Sequence, residues 1–375
     1  MAIFHKERSG DRRRLYFCGI KILSYKKKEK MAEFKGELKQ DKASEVEFYL
    51  VDAFEIYHYL PLYNDCLEAG VKARIVAEPP HINTTKSWFD FESAVKILEG
   101  LGVDYCTQAN ENAKLAITTQ ESWCLDKYGN KKASLCYGAG LNITNFLITP
   151  QTCVGFDYSF THGEHQKYIR SVYMNESQIF TIGYPKHREF FTNPPKQEDI
   201  KAKYGISTNK PLLVYFPTWD EDSSIQTFSK AIKALQSDFF IITKAHHCTF
   251  RLPNKKDDLA TLYEISNLVL EGNSSFEEAA ILANIALIDA KSAASTEVLY
   301  LNKNAKITLL SPRKNVDTYF IKRVLDTTKI INNPQNLTKD IILSATPPYR
   351  KDIEYFYTSK PDITHFGEFI KERIL

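Results

Sequence analysis

The stretch VEFYLVDAFEIYHYLPLYNDCLEAGVKARIVA, residues 46–77, decides the fold class. It begins with an apolar run, Val46–Val51, which predicts a strand that ends at Asp52. A helical pattern follows and stops at Gly70, after which Ala73–Ala77 predicts a second strand. A strand, a helix and a strand at this spacing indicate a parallel sheet with the helix crossing over its face.

The alternation continues along the chain and is interrupted by a proline-rich segment, 190–199, which predicts an interdomain link. Before the link, the predicted elements are a helix near 91–98 and strands near 114–118, 133–137, 156–160 and 179–182. After the link, the predicted strands are 211–216, 239–243, 268–270, 285–289 and 306–310, and the predicted helices are 223–235, 276–283 and 295–301.

We therefore expect two α/β domains, residues 46–190 and residues 200–345. Residues 1–45 form an N-terminal segment outside them, and residues 346–375 form a helical tail that we expect to cross back to the first domain. A length of 375 residues suits two such domains.

The composition excludes several classes of protein. Hydrophobic residues make up 43% of the chain and aromatic residues 13%, which excludes disorder as the main state. No apolar run approaches the roughly 18 residues that a membrane-spanning helix needs. The 7 cysteines include no CxxC pair, so neither a disulfide framework nor a zinc knuckle is indicated. We expect a cytoplasmic protein in a reducing compartment.

The N-terminal 30 residues carry most of the positive charge. Ten Lys and Arg stand there against Glu7, Asp11 and Glu29, which gives +7, while the remaining residues sum to −4. Residues 15–20 and 22–23 between the basic clusters are apolar, as a peripheral anchor on the inner, anionic face of the cell membrane requires. The alternatives are a basic tail and an edge element packed on the body. Nucleic acid is disfavoured as a partner because the basic residues do not continue into the body.

Polar residues follow the predicted strands of the second half, where open parallel sheets bind ligands. The passage from Asp289 to Glu297 offers the hydroxyls of Ser292, Ser295 and Thr296 at a helix start, which suits a phosphate group. The alternative is an ordinary helix cap. Neither half contains GxGxxG or GxxxxGK[ST], so dinucleotide-binding and P-loop classes have no support.

Lys244-Ala245-His246-His247 follows another predicted strand. A histidine at that place can donate to a phosphate oxygen of a leaving nucleotide. The paired histidines could instead bind a metal, although no third ligand is evident at a suitable spacing. The acids of 220–222 resemble a metal-binding DxD motif, but three adjacent acids are more often a solvated turn.

The first half offers candidates for the base that activates an acceptor hydroxyl. The candidates are Glu55, His58, Asp157 and His162. A capping or interdomain hydrogen bond is the alternative role for each of them. The pair Tyr137-Gly138 follows a predicted strand, and together with His162 we place it on the acceptor side of the site.

Four motifs resemble those of one enzyme family. They are Gly183-Tyr184-Pro185, Phe216-Pro217-Thr218-Trp219, Lys244-Ala245-His246-His247 and Lys291-Ser292-Ala293-Ala294-Ser295-Thr296-Glu297. In order and spacing they resemble the CDP-glycerol glycerophosphotransferases of teichoic-acid and capsule assembly, over roughly residues 130–310. The resemblance implies a GT-B fold, in which two Rossmann-like domains with parallel sheets face each other and the second domain holds most of a nucleotide-activated donor.

The resemblance also implies roles for individual residues. The implied donor-binding residues are Thr218, Lys244, Ser292, Ser295, Thr296 and Glu297, with Glu297 on the ribose. His246 would assist departure of the nucleotide, and the catalytic base would be one of Glu55, His58 and Asp157. Helix dipole, hydroxyls and histidine carry the charge stabilisation in this mechanism, so we expect no metal and no cofactor besides the donor substrate.

Two departures from the family pattern leave the transferred group open. The His-Gly pair of the family, whose His is the implied base, corresponds best to Tyr137-Gly138, and its His-Pro pair corresponds to His246-His247. The first departure fits equally a transferase that moves a Kdo-like or sialic-acid-like sugar from a CMP donor. In either case the expected acceptor is a hydroxyl of a glycan or lipid-linked molecule of a capsule, lipopolysaccharide or similar polymer. The alternatives are a UDP-sugar glycosyltransferase or 2-epimerase, and an inactive transferase-like binding subunit.

Overall fold

The computed structural model describes residues 4–9, 12–17, 20–26, 42–79, 91–137, 153–271, 275–312, 329–347 and 354–375. For residues 4–26 the description covers the backbone alone. There it shows three antiparallel strands in the order β1-β2-β3: β1 Phe4–Ser9, β2 Arg12–Phe17 and β3 Ile20–Lys26.

The first domain is built on a sheet whose described strands are all parallel. They are β4 Val46–Tyr49, β5 Ala73–Val76, β6 Tyr105–Cys106, β7 Leu115–Thr118, β8 Lys131–Leu135, β9 Tyr158–Thr161 and β10 Ile179–Thr181. Their spatial order is β10-β9-β8-β7-β4-β5-β6. The helices are α1 Ile56–Glu68, α2 Phe91–Gly100 and α3 Glu164–Arg170. Two short helices, α4 Arg188–Thr192 and α5 Gln197–Lys203, lie at the predicted interdomain link.

The second domain repeats the arrangement. Its parallel strands are β11 Leu212–Phe216, β12 Phe240–Thr243, β13 Leu268–Val269, β14 Ile285–Asp289, β15 Lys306–Leu310 and β16 Lys329–Ile331, in the order β13-β12-β11-β14-β15-β16. Its helices are α6 Ile225–Ala234, α7 His247–Arg251, α8 Lys256–Ile265, α9 Phe276–Leu282, α10 Ala294–Leu301 and α11 Lys339–Leu343. The tail carries α12 Phe366–Arg373.

Each sheet reverses its strand order at one place. In the first domain this place lies between β4 and β7, and in the second domain it lies between β11 and β14. Two consecutive crossovers leave these places in opposite directions, which opens a crevice beyond the carboxyl ends of the central strands. The two domains are therefore doubly wound, as the alternating strand and helix patterns predict. The central strands are buried on both faces: every residue of Leu212–Phe216 and of Ile285–Asp289 is buried.

The C-terminal helix α12 packs against α1 of the first domain. Phe366 and Ile370 belong to the same hydrophobic cluster as Phe160 of β9. A Cβ atom at Gly367 would lie 2.0 Å from the carbonyl oxygen of Asp65, so the two helices approach closely enough to require glycine there. Lys371 Nζ also donates to the Ala69 carbonyl over 2.9 Å. None of the described helices is long and apolar enough to cross a lipid bilayer.

Candidate active site

The loops that follow β4 and β12 meet across the cleft between the domains. The ring of Phe54, from the loop after β4, stacks on that of His247, the first residue of α7, with 5.7 Å between ring centroids. At the other end of α7, Arg251 Nη1 lies 3.7 Å from Asp52 Oδ1. The carboxyl ends of the two strands therefore face each other, and residues that follow them line one site.

His246 is oriented by a backbone group. Its Nδ1 accepts a hydrogen bond of 3.2 Å from the Cys248 N–H, so a neutral ring carries its proton on Nε2. Burial, with smaller effects of His247 and Lys244, lowers the pKa of His246 to about 3. The ring of Trp219 lies 6.0 Å away, centroid to centroid. At neutral pH His246 is thus an uncharged imidazole that still offers an N–H donor.

Lys244 is a half-buried cation just beyond the carboxyl end of β12. Its ammonium makes no hydrogen bond or ion pair with any residue that the structure describes. Burial lowers its pKa to about 8; the Glu277 charge opposes that effect and the Lys186 charge adds to it. A buried ammonium without a counter-ion is costly, and an anionic ligand would remove that cost. Lys244 and His246 together are therefore candidates for binding an anion.

The start of α10, where the sequence predicts a phosphate site, is less accessible than expected. Ser295 is fully buried, and its hydroxyl donates to the Ser292 carbonyl over 2.9 Å. The Thr296 hydroxyl donates to the Ala293 carbonyl over 2.9 Å and lies 3.0 Å from the Tyr357 hydroxyl of the tail. Ser292 is half-buried. Of the three predicted hydroxyls, that of Ser292 retains exposure, while the other two serve the helix and the tail.

Glu297 is held by residues 184–187, which precede the predicted interdomain link. Its carboxylate accepts hydrogen bonds from the Tyr184 hydroxyl at 3.0 Å and lies 3.1 Å from His187 Nε2. Burial opposes ionisation, yet Lys186, 3.6 Å away, and His187 keep the pKa of Glu297 well below its usual value. A ribose hydroxyl would have to compete with Tyr184 and His187 for this carboxylate.

Thr218 is held in place by a carboxylate that the sequence reasoning did not select. Asp289, the last residue of β14, accepts from the Thr218 N–H at 2.8 Å and from the N–H and hydroxyl of Ser224. Burial raises the pKa of Asp289 to about 7, against these hydrogen bonds. Asp289 thus ties the loop after β11 to β14 at the point where the strand order reverses.

The first-domain wall of the cleft is aromatic. The ring of Tyr137 lies 5.2 Å from Phe54 and 6.0 Å from His58, centroid to centroid. Burial, and then the charge of Glu55, raises the pKa of Tyr137 to about 12, so its hydroxyl stays protonated at neutral pH. His58 is 7% exposed, and burial lowers its pKa well below the usual value, which leaves a neutral imidazole. Gly138 lies outside the described residues.

Glu55 is fully buried beneath this wall. Its carboxylate accepts hydrogen bonds from the Val51 N–H and Thr119 hydroxyl, at 2.7 and 2.6 Å, as well as from Asp52 and Gln120. Burial raises the pKa of Glu55 to about 7, although the four donors favour the ionised form. Like Asp289, it ties together two loops that flank a reversal of strand order, here those after β4 and β7.

The other two first-domain candidates lie apart from the cleft surface. Asp157 is exposed just before the amino end of β9, and its carboxylate accepts a hydrogen bond of 2.8 Å from the Lys132 N–H. The amino ends of the strands lie on the side of the sheet opposite the cleft. His162 is 1% exposed, and its ring lies 4.2 Å from that of Tyr184 and 5.9 Å from that of Tyr357. The structure thus brings His58 and Tyr137 near α7 and leaves Asp157 outside.

The motifs with metal-binding alternatives have other surroundings. Asp222 pairs with Lys291 at 2.8 Å, which joins the loops after β11 and β14. Among the described residues, His246, His247 and Cys248 place three potential ligand atoms within 4.8 Å of one another. The positive charges of Lys244 and Arg251 act on His247, so the local field disfavours a further cation.

Comparisons with known proteins define the class. The wall teichoic acid polymerase TagF matches with a TM-score of 0.58 at 14% identity, over 89% of each chain. A putative UDP-N-acetylglucosamine 2-epimerase from Listeria monocytogenes matches with a TM-score of 0.56 at 14% identity, over 83% of this chain and 93% of that one. MnaA of S. aureus, solved with UDP, matches with a TM-score of 0.55 at 12% identity, over 88% of this chain and 96% of that one. At these identities the likeness shows the fold alone, and that fold is of the GT-B type.

The family model described as CDP-Glycerol:Poly(glycerophosphate) glycerophosphotransferase matches residues 57–276, more than half of the chain. The chain belongs to this family, and it is a transferase-type enzyme. No curated protein matches the sequence. The family resemblance drawn from the four motifs is therefore confirmed, and the transferase interpretation has support that the epimerase alternative lacks.

Proposed function

We propose that the chain transfers a glycerol phosphate group from CDP-glycerol to a hydroxyl of a glycan or lipid-linked acceptor in cell-surface polysaccharide assembly. The acceptor oxygen would form a bond to the phosphorus that carries glycerol, and the bond from that phosphorus to CMP would break. The observation that carries the proposal is the pair Lys244 and His246 beyond the carboxyl end of β12. Lys244 is a cation without a hydrogen-bond or ion-pair partner among the residues that the structure describes, and His246 offers an N–H donor on Nε2. Family membership supports CDP-glycerol as the donor.

On the donor side, the diphosphate would lie against Lys244 and His246. Binding brings a negative charge beside both groups, which raises their pKa values and favours their cationic forms. His246 then hydrogen-bonds the phosphate oxygen that CMP takes with it and stabilises the charge that develops as the bond breaks. Ser292, which precedes α10, would add a hydroxyl on the same side.

On the acceptor side, His58 is the residue that we propose as general base. Its imidazole is neutral at pH 7, so it can take a proton, and it lies beside Tyr137 in the first-domain wall. Tyr137, with a pKa of about 12, cannot replace a histidine as base. Glu55 is fully buried beneath the wall. The proposal leaves out Asp157 because it lies at the amino ends of the strands, on the side of the sheet away from the cleft.

The test is CMP release from CDP-glycerol with and without a glycerol-phosphate oligomer as acceptor. We expect acceptor-dependent release by the wild type, and a loss of about 100-fold or more in kcat for His246→Ala and for His58→Ala with unchanged thermal unfolding. The matched control is His365→Ala, an exposed histidine at the start of α12. Acceptor-dependent release from a CMP-sugar alone would move the proposal to a sugar transferase, and no turnover with any donor would favour a non-catalytic binding subunit.

A further inference from the structure

The Gly183-Tyr184-Pro185 motif directs a tyrosine of the first domain into the second domain. Gly183, just beyond β10, has a φ of +68°, a left-handed conformation that favours glycine. Pro185 opens a short 3₁₀ turn, at the position where proline is favoured. Between them, Tyr184 is 3% exposed and belongs to the hydrophobic cluster built on β11, β14 and β15. The motif therefore builds a contact between the two domains.

The Tyr184 hydroxyl is anchored on α10. It donates to the Glu297 carboxylate, in the first turn of that helix, over 3.0 Å. Burial, and then the charge of Glu297, raises the pKa of Tyr184 well above its usual value, so the hydroxyl keeps the proton that it donates. A carboxylate of the second domain thus fixes the position of the Tyr184 ring.

A second tyrosine supports this ring from the C-terminal tail. The ring of Tyr357 stacks on that of Tyr184, with 4.9 Å between centroids and 13° between planes. The Tyr357 hydroxyl lies 3.0 Å from that of Thr296 on α10. The Thr358 N–H donates to the His162 carbonyl over 3.1 Å, which ties the tail to the loop after β9. The stacked pair therefore joins the first domain, the tail and the first turn of α10.

Tyr184 also packs against His58, the proposed general base. Their ring centroids lie 6.1 Å apart, and those of Phe54 and Tyr137 lie 6.2 and 6.0 Å from the same imidazole. Within the described part of the chain, no group makes a hydrogen bond to the His58 ring. Because hydrogen bonds do not fix it there, the direction of this imidazole depends on the aromatic rings packed around it.

We propose that Tyr184 is a positioning residue that holds the His58 imidazole toward the acceptor hydroxyl, with Glu297 and Tyr357 as its supports. This inference rests on the proposed function in that it takes His58 as the general base. A base removes a proton only from within hydrogen-bond reach, and a misplacement of about 1 Å can lower a rate about 100-fold. Tyr184 acts through His58, so its contribution to the rate requires that His58 is present. The assignment also gives Glu297 a role other than the predicted contact with ribose.

The test is a double-mutant cycle between Tyr184 and His58. Tyr184→Leu removes the ring and the hydroxyl, whereas Tyr184→Phe removes the hydroxyl alone. At saturating CDP-glycerol and acceptor, kcat for CMP release should fall by about 10- to 100-fold in Tyr184→Leu and by a smaller factor in Tyr184→Phe. The Kd for CDP, measured by calorimetry, should stay within about twofold of wild type. In a His58→Ala background neither substitution should lower kcat further, and additive losses would overturn the inference.

Tyr128→Phe is the matched control. Tyr128 is 2% exposed, and its hydroxyl donates to the buried Glu47 carboxylate of the first domain over 2.7 Å. Tyr128→Phe and Tyr184→Phe thus each remove a hydrogen bond between a buried tyrosine and a buried carboxylate. Tyr128→Phe should keep kcat within about twofold of wild type. An equal fall of kcat in both phenylalanine variants would assign the effect to lost stability and overturn the inference.

A measurement without substrate separates this inference from the proposed function. In protein labelled with ¹³C at histidine Cε1, the His58 signal is identified by its loss in His58→Ala, and NMR relaxation gives its order parameter. We expect the order parameter to fall in Tyr184→Leu and Tyr184→Phe and to stay unchanged in Tyr128→Phe. An unchanged value in Tyr184→Leu, or in Tyr184→Phe if the leucine variant does not fold, would overturn the inference. Absence of CMP release by the wild type would instead refute the proposed function, while the order parameters would still decide whether Tyr184 holds His58.

Discussion

Replacement of Lys244 by methionine tests the anion site. Methionine retains the apolar stem and removes the charge. A hydrogen bond to a charged group contributes about 1.5–3 kcal/mol, and each 1.36 kcal/mol is tenfold, so kcat/KM for CDP-glycerol should fall by about 10- to 150-fold. The fall should come mainly from KM, because in the proposed mechanism the ammonium contacts the donor both before and during the reaction.

The pH profile gives the same prediction a second readout. A lysine is cationic below its pKa, so donor capture should weaken as pH rises through about 8. With that pKa, about nine-tenths of the ammonium is charged at pH 7 and about one-tenth at pH 9, which gives about a ninefold fall in kcat/KM. The kcat/KM profile reports the free enzyme, which is the state that the structure describes.

The assay is CMP release at limiting CDP-glycerol from pH 6.5 to 9.5. Lys244→Arg should keep its charge across this range and lose the alkaline fall, because arginine does not deprotonate in proteins. The Lys244→Met profile should also be flat there, at a lower level. A methionine variant that keeps wild-type kcat/KM, or that keeps the alkaline fall, would refute the assignment of Lys244 to the donor.

Three further predictions concern the C-terminal helix, Asp157 and the N-terminal segment. Gly367→Ala should lower the free energy of unfolding by about 1–3 kcal/mol in urea titration, because its Cβ would meet the Asp65 carbonyl. The control Gly129→Ala should leave the free energy of unfolding unchanged, because a Cβ there meets nothing within 4 Å. Asp157→Asn should keep CMP release within about twofold of wild type, and a loss like that of His58→Ala would return Asp157 to the site. Deletion of residues 1–30 should abolish sedimentation with anionic vesicles, which the +7 charge of that segment supports; unchanged sedimentation would refute the anchor.

The fold was predictable because strand periodicity and β/α alternation are local signals. The strands Ile285–Asp289 and Lys306–Leu310 have the predicted bounds. The two-residue strand Tyr105–Cys106 and the helix Lys256–Ile265 went unpredicted, since the first is too short for a pattern and the second alternates weakly between polar and apolar residues. The predicted strand 133–137 lies two residues earlier, at Lys131–Leu135, which leaves Tyr137 beyond the strand end and near the cleft.

The site was predictable only in part, because strand ends can be located from sequence but side-chain partners cannot. Lys244 and His246 follow a strand as expected. Only the three-dimensional structure shows that Lys244 has no hydrogen-bond or ion-pair partner within the described part of the chain and that the Cys248 N–H orients His246. Ser295 also follows a predicted strand, but its hydroxyl hydrogen-bonds within its own helix turn. The contact of His187 with Glu297 could not be read from the sequence either, because the two residues lie 110 positions apart.

The most direct test of the central claim is thermal unfolding of the wild type with CMP, CDP, UDP, GDP and ADP in turn. A ligand that binds only the folded state raises the unfolding midpoint, by an amount that grows with its concentration over Kd. The account predicts a rise with CDP and CMP that is lost in Lys244→Met and His246→Ala. A rise with UDP alone, or a cytidine response that persists in both variants, would contradict it.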